Sequence, residues 1–96
     1  MVRLSDNITN AGVISALMRA EALILFLSSQ GVQVKSVSLR NAQPVIRIAR
    51  HAWCEQVKKK GLVRFDITGN DRHARFRQGM YQDESGCRVV WSESIH

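Results

Sequence analysis

A chain of 96 residues, 45% hydrophobic and 23% charged, has the usage of a single globular domain and excludes disorder along its whole length. Its formal charge of +6 is unevenly placed: residues 1–31 are neutral overall, residues 32–80 carry +8, and residues 81–96 carry −2. The positive field belongs to the middle of the chain, and an anionic partner is its first implication.

Residues 8–30 predict the main helix. Asn7 or Asn10 is its expected N-cap, because a short side-chain oxygen accepts from free first-turn N–H groups, and Gly31 stands where a left-handed residue ends it. On a helical wheel Val13, Ala16, Leu17, Ala20, Leu23, Ile24 and Leu27 share one arc, the expected core face. Ile14, Met18 and Leu25, with Phe26, form a second apolar stripe outside that arc. This helix has more apolar surface than one sheet face can cover.

Residues 32–39 and 45–49 are rich in β-branched side chains and predict two strands joined by the loop 40–44. The first loses its alternation near Ser36, which predicts a bulge. In the second, Ile46 and Ile48 face one way and Val45 and Arg47 the other. Residues 50–60 predict a short second helix, with Trp53 and Val57 one turn apart and Gly61 after Lys58, Lys59 and Lys60. Trp53 is expected as a core anchor, with a half-exposed contact hot spot beside Arg50 and His51 as the alternative.

Val63, Phe65 and Ile67 alternate with polar neighbours in a third strand, and residues 68–71 form a turn. Residues 73–81 and 87–92 predict a hairpin around the loop 82–86, with a fraying polar tail from residue 92. Its expected inner faces are Ala74, Phe76, Gln78 and Met80 on one strand and Cys87, Val89 and Trp91 on the other. That leaves His73, Arg75, Arg77 and Tyr81 facing outward. The order α-β-β-α-β-β-β specifies an α+β fold, one long helix packed on an antiparallel β-sheet built from hairpins, with a short second helix.

The chemistry-bearing residues follow from that order. Arg64, Arg72, Arg75 and Arg77, with Lys58, Lys59 and Lys60, are expected to make one positive face. His73 and Tyr81 stand beside them to touch bases or sugars. The leading expectation is a non-enzymatic binding module that presents this face to nucleic acid. The rival is a protein-interaction module docking an acidic protein surface, and the third reading is a small ribonuclease built on His73 and the flanking arginines. No nucleophile elbow, phosphate loop or paired-carboxylate motif argues for an enzyme.

His51 and Cys54 at H-x-x-C spacing, with His73 and Cys87, supply four nitrogen and sulfur donors. The first pair falls in a helix and Cys87 on a core face, so neither a metal nor a cofactor is expected. The stripe of Ile14, Met18, Leu25 and Phe26 is the expected surface of a homodimer. No apolar leader occupies residues 1–10, and the most apolar run, residues 22–27, is far short of the ~20 residues of a membrane span. A cytoplasmic protein without membrane contact is expected, and two cysteines in such a chain fit a reducing compartment.

Overall fold

A computed structural model describes residues 9–68 and 76–94, the side chains of Ile67 and Thr68 excepted. The elements run α1 (Asn10–Ser29), β1 (Val34–Arg40), β2 (Gln43–Ile48), α2 (Ala52–Lys59), β3 (Val63–Thr68), β4 (Phe76–Gln82) and β5 (Arg88–Ser94). This is the α+β order expected from the sequence. Arg72, His73, Ala74 and Arg75 lie outside the described residues.

Thr9, not Asn7 or Asn10, caps α1: its hydroxyl accepts from the Gly12 amide at 3.0 Å. Gly31, at φ 81°, ends the helix as expected, and the Val32 amide closes back onto Leu27 O at 2.9 Å. Ala16, Ala20, Leu23 and Leu27 are buried, whereas Leu17, placed in the core arc by the wheel, is half-exposed at its edge. By length and composition α1 is long and apolar enough to cross a membrane, a test that a core helix or a signal sequence also passes. Here one face of it packs on the sheet.

The five strands form one sheet in the order β1-β2-β5-β4-β3. Neighbours are antiparallel except β2 and β5, which pair parallel. The expected bulge is present between Val34 and Ser36. The link between β1 and β2 is tighter than the five-residue loop read from the sequence. Asn41 and Ala42 alone turn the chain, both left-handed with φ of 49° and 64°. Arg19 of α1 donates to Ala42 O at 3.0 Å and ties the helix to this turn.

Both helices pack on the same face of the sheet. Leu23 and Leu27 of α1 and Trp53, Cys54 and Val57 of α2 share one core with Ile46, Ile48, Cys87, Val89 and Trp91. Trp53 is buried rather than half-exposed, edge-on to Tyr81 at 5.3 Å and to Trp91 at 6.3 Å between ring centroids. It is the core anchor expected of it, and the surface hot spot is ruled out.

The parity of β4 is the reverse of the sequence expectation. Gly79 pairs with Trp91 and Tyr81 with Val89, so Arg77, Gly79 and Tyr81 face the helices while Phe76, Gln78 and Met80 face away. The reason is room. A Cβ on Gly79 would lie 2.4 Å from the Trp91 ring, so the glycine is the slot into which the indole fits. β5 continues to Ser94, and Glu93, read as part of a fraying tail, is buried.

Candidate functional site

With both helices on one side, no helix among the described residues lies over the other face of the sheet. The strand registers bring Ser36, Arg47, Val90, Met80 and Arg64 into one cross-strand row on that face. The adjoining row sets Val45, Arg88 and Gln82 side by side, and Arg40 closes the end of β1. Four strands therefore each contribute one guanidinium: Arg40, Arg47, Arg88 and Arg64.

Among the described residues Asp66 is the acid this face carries, and no ion pair engages any of the four arginines. Arg47 reaches across β5 to Gln78 Oε1 at 3.5 Å, and the Arg88 Nε is buried without a hydrogen-bond partner. Phe76, Gln78 and Met80 are half-buried along β4. Val90 is buried at 3% exposure although it points away from the helices, flanked in its row by the long stems of Arg47 and Met80. The surface is a broad sheet platform with an apolar centre and arginines toward its margins.

The stripe expected from the sequence does not form one face. Arg64 alone of its described arginines is on the open side. Arg77 points to the helix side, where its Nη2 donates to Glu93 Oε1 at 3.2 Å and its guanidinium lies 3.8 Å from the Phe65 ring centroid. Lys58 donates to Glu93 Oε2 at 2.8 Å and to Glu55 Oε2 at 2.7 Å. Tyr81 lies half-buried on the helix side against Trp53, where burial raises its phenol above the ordinary value. Lys59 and Lys60 are exposed at the end of α2, apart from the platform's cross-strand rows. Arg72, His73 and Arg75 lie outside the described residues, so the ribonuclease constellation keeps none of its described members on the open face.

Glu93 explains why two of those cations are inside. It receives Lys58, Arg77 and the Trp91 Nε1–H at 2.8 Å, with Arg50 4.0 Å away. Burial opposes its charge, but the bonds from Lys58, Trp91 and Arg77 outweigh that cost and hold the carboxyl at about 2. A carboxylate so fixed by Lys58, Arg77 and Trp91 is a structural clamp between α2, β4 and β5.

Of the donors weighed for a metal, His73 lies outside the described residues and the other three are apart in their roles. His51 Nδ1 caps α2 by accepting from the Trp53 amide at 2.9 Å, and Cys54 and Cys87 are free thiols within the core. Burial pushes the Cys54 thiol up. Among the described residues no three His, Cys, Asp or Glu side chains come together as a metal site.

Sequence reasoning did not place Arg40, Arg47 or Arg88 among the candidate site residues. Arg47 was read as facing away from Ile46 and Ile48 but was not joined to the basic face, and the same parity on β5 puts Arg88 and Val90 opposite Val89. The signal was there for Arg88 once Cys87, Val89 and Trp91 were read as inner. No protein-family model, curated protein or solved structure matches this chain.

Proposed function

We propose that this chain is a non-enzymatic binding module whose open sheet face holds an anionic polymer, with single-stranded nucleic acid the partner that fits best. The observation that carries the reading is the cross-strand row itself. Arg47 and Arg64 stand at its flanks, three strands apart, with Val90 and Met80 between them on the face opposite α1 and α2. Neighbouring strands are about 4.8 Å apart, so the two cations span roughly 14 Å.

Phosphates are neutralised by cations placed along a path, and unstacked bases need a flat apolar or aromatic floor. Arg40, Arg88, Arg47 and Arg64 supply the first. Phe76 and Met80, half-buried above the buried Val90, supply the second, and Gln78 adds an amide that can donate to or accept from a base edge. A sheet surface also admits a single strand more readily than the narrow grooves of a duplex, which call for a protruding helix or ribbon. The cytoplasm, where nucleic acid is abundant and thiols stay reduced, is the compartment that suits this role.

The second reading, an acidic protein surface as partner, draws on the same arginines and on the half-buried Met80 at the platform's centre. Titrating isotope-labelled protein with a short single-stranded oligonucleotide separates the two. The nucleic-acid reading requires amide shifts concentrated at Arg47, Gln78, Met80 and Arg64. Shifts at Lys59 and Lys60 alone, or none at low salt, would discard it.

A further inference from the structure

Among the described residues, five of the seven large apolar side chains left exposed belong to α1. Ile14, Met18 and Leu25 are 58%, 63% and 65% exposed, and Leu17 and Phe26 flank them at 50% and 47%. At about 100° per residue, Ala11, Ile14, Met18, Ala22 and Leu25 lie opposite the buried arc of Ala16, Ala20, Leu23 and Leu27. These large side chains expose on the order of 500 Å² on each copy, near the upper end of what monomers leave open. Two copies joined here bury on the order of 1,000 Å², about the threshold of a specific interface.

We propose that a second copy of this chain docks on this face, α1 against α1 antiparallel, with Met18 on the two-fold axis. An axis through Met18 brings Ile14 level with its partner's Ala22, and Leu25 level with its partner's Ala11. In each such layer one large and one small side chain meet from opposite sides of the contact line. The knobs thereby enter a shallow groove of about 550 Å³ that Ala11, Ile14, Ser15, Met18, Arg19 and Ala22 line on each copy. A parallel pairing would instead set Leu25 on Leu25 and Ile14 on Ile14, leaving the small residues facing gaps.

Charge agrees with this register. Arg19 and Glu21, the ionisable residues of α1, fall on opposite flanks of the stripe, and Arg19 is held back by Ser15 Oγ and Ala42 O. No like charges meet in the central layers. Because α1 lies on the helix side of the sheet, the pairing turns the two Arg47–Arg64 rows outward on opposite surfaces of the dimer. Such a dimer holds two separate polyanions instead of lengthening one footprint. This consequence, unlike the pairing itself, rests on the anionic-polymer reading of the sheet.

Light scattering on the free chain tests the pairing without any ligand. The chain at micromolar concentration is expected at twice its 10.9 kDa mass, and Met18→Arg at the single mass, still melting cooperatively but without the concentration dependence of the wild-type melting temperature. Met18→Cys is expected to cross-link two copies under mild oxidation, whereas Leu25→Cys alone is not, its two positions lying about 21 Å apart in this register. A monomeric chain overturns the proposal. So does a dimer that cross-links through Leu25→Cys and not Met18→Cys, or a monomer that floats with phosphatidylcholine vesicles and loses that association in Met18→Arg.

Discussion

Arg47 of β2 and Arg64 of β3 lie in the same cross-strand row and on the same face of the sheet, with β5 and β4 between them. Neither has an ion-pair partner among the described residues. Their guanidinium groups are thus available to a ligand in a way that Lys58 and Arg77, both bound to Glu93, are not. Replacing Arg47 and Arg64 together by Glu is expected to reduce oligonucleotide affinity at least tenfold while leaving the melting temperature within a few degrees. Arg77→Gln is expected to do the opposite, lowering stability by about 2 kcal/mol with little effect on affinity of the folded protein. Binding assays beside thermal melts of the two variants check this exchange of effects.

Gly79 and Trp91 make a second prediction, on packing. The Cβ of Gly79→Ala would approach three atoms of the indole to between 2.4 and 2.7 Å, so the ring or the strand must shift. A loss of about 2 kcal/mol or more in urea unfolding is expected, at the upper part of the range for overpacked cores. A variant as stable as the wild-type chain would mean that Trp91 is not lodged over this glycine.

The clamp at Glu93 ties stability to pH. Its carboxyl titrates near 2 in the folded protein against an ordinary value of 4.5, so the folded state binds its proton more weakly than the unfolded chain does. The stabilisation is complete above pH 4.5 and is withdrawn as pH falls from there toward 2, by up to about 3 kcal/mol. Glu93→Gln is expected to flatten that part of the pH profile. It should also cost about 3 kcal/mol at neutral pH, because Lys58 and Arg77 would face a neutral amide. Denaturant melts between pH 2 and pH 7 read both effects.

The turn between β1 and β2 offers a gain. Ala42 holds a left-handed φ of 64° that its Cβ disfavours, in a two-residue turn whose second position suits glycine. Ala42→Gly is expected to raise stability by about 1 kcal/mol, measured as a higher urea midpoint with an unchanged slope.

Much of the fold was legible because local signals agreed. Gly31 and Gly61 end their helices at positive φ, the broken alternation at Ser36 is a bulge, and Ile46, Ile48, Val89 and Trp91 all face the core. The parity of β4 was not legible, because the apolar look of Phe76 and Met80 competed with two long-range demands. Trp91 needed a glycine opposite it, and the buried Glu93 needed Arg77. Neither demand is visible within β4 itself. The parallel joining of β2 to β5, which assembles Arg47 with Val90 and Arg88, likewise comes from residues some 40 positions apart.

The most direct measurement is the salt dependence of single-stranded oligonucleotide binding, followed by fluorescence anisotropy for the wild-type chain and for Arg47→Gln/Arg64→Gln. Each phosphate neutralised contributes about −0.7 to the slope of log K against log salt, so four platform arginines set a slope of roughly −3, falling to about half in the double variant. A wild-type chain that does not bind at low salt, or a slope the two substitutions leave unchanged, would contradict the assignment of the open sheet face as the binding surface.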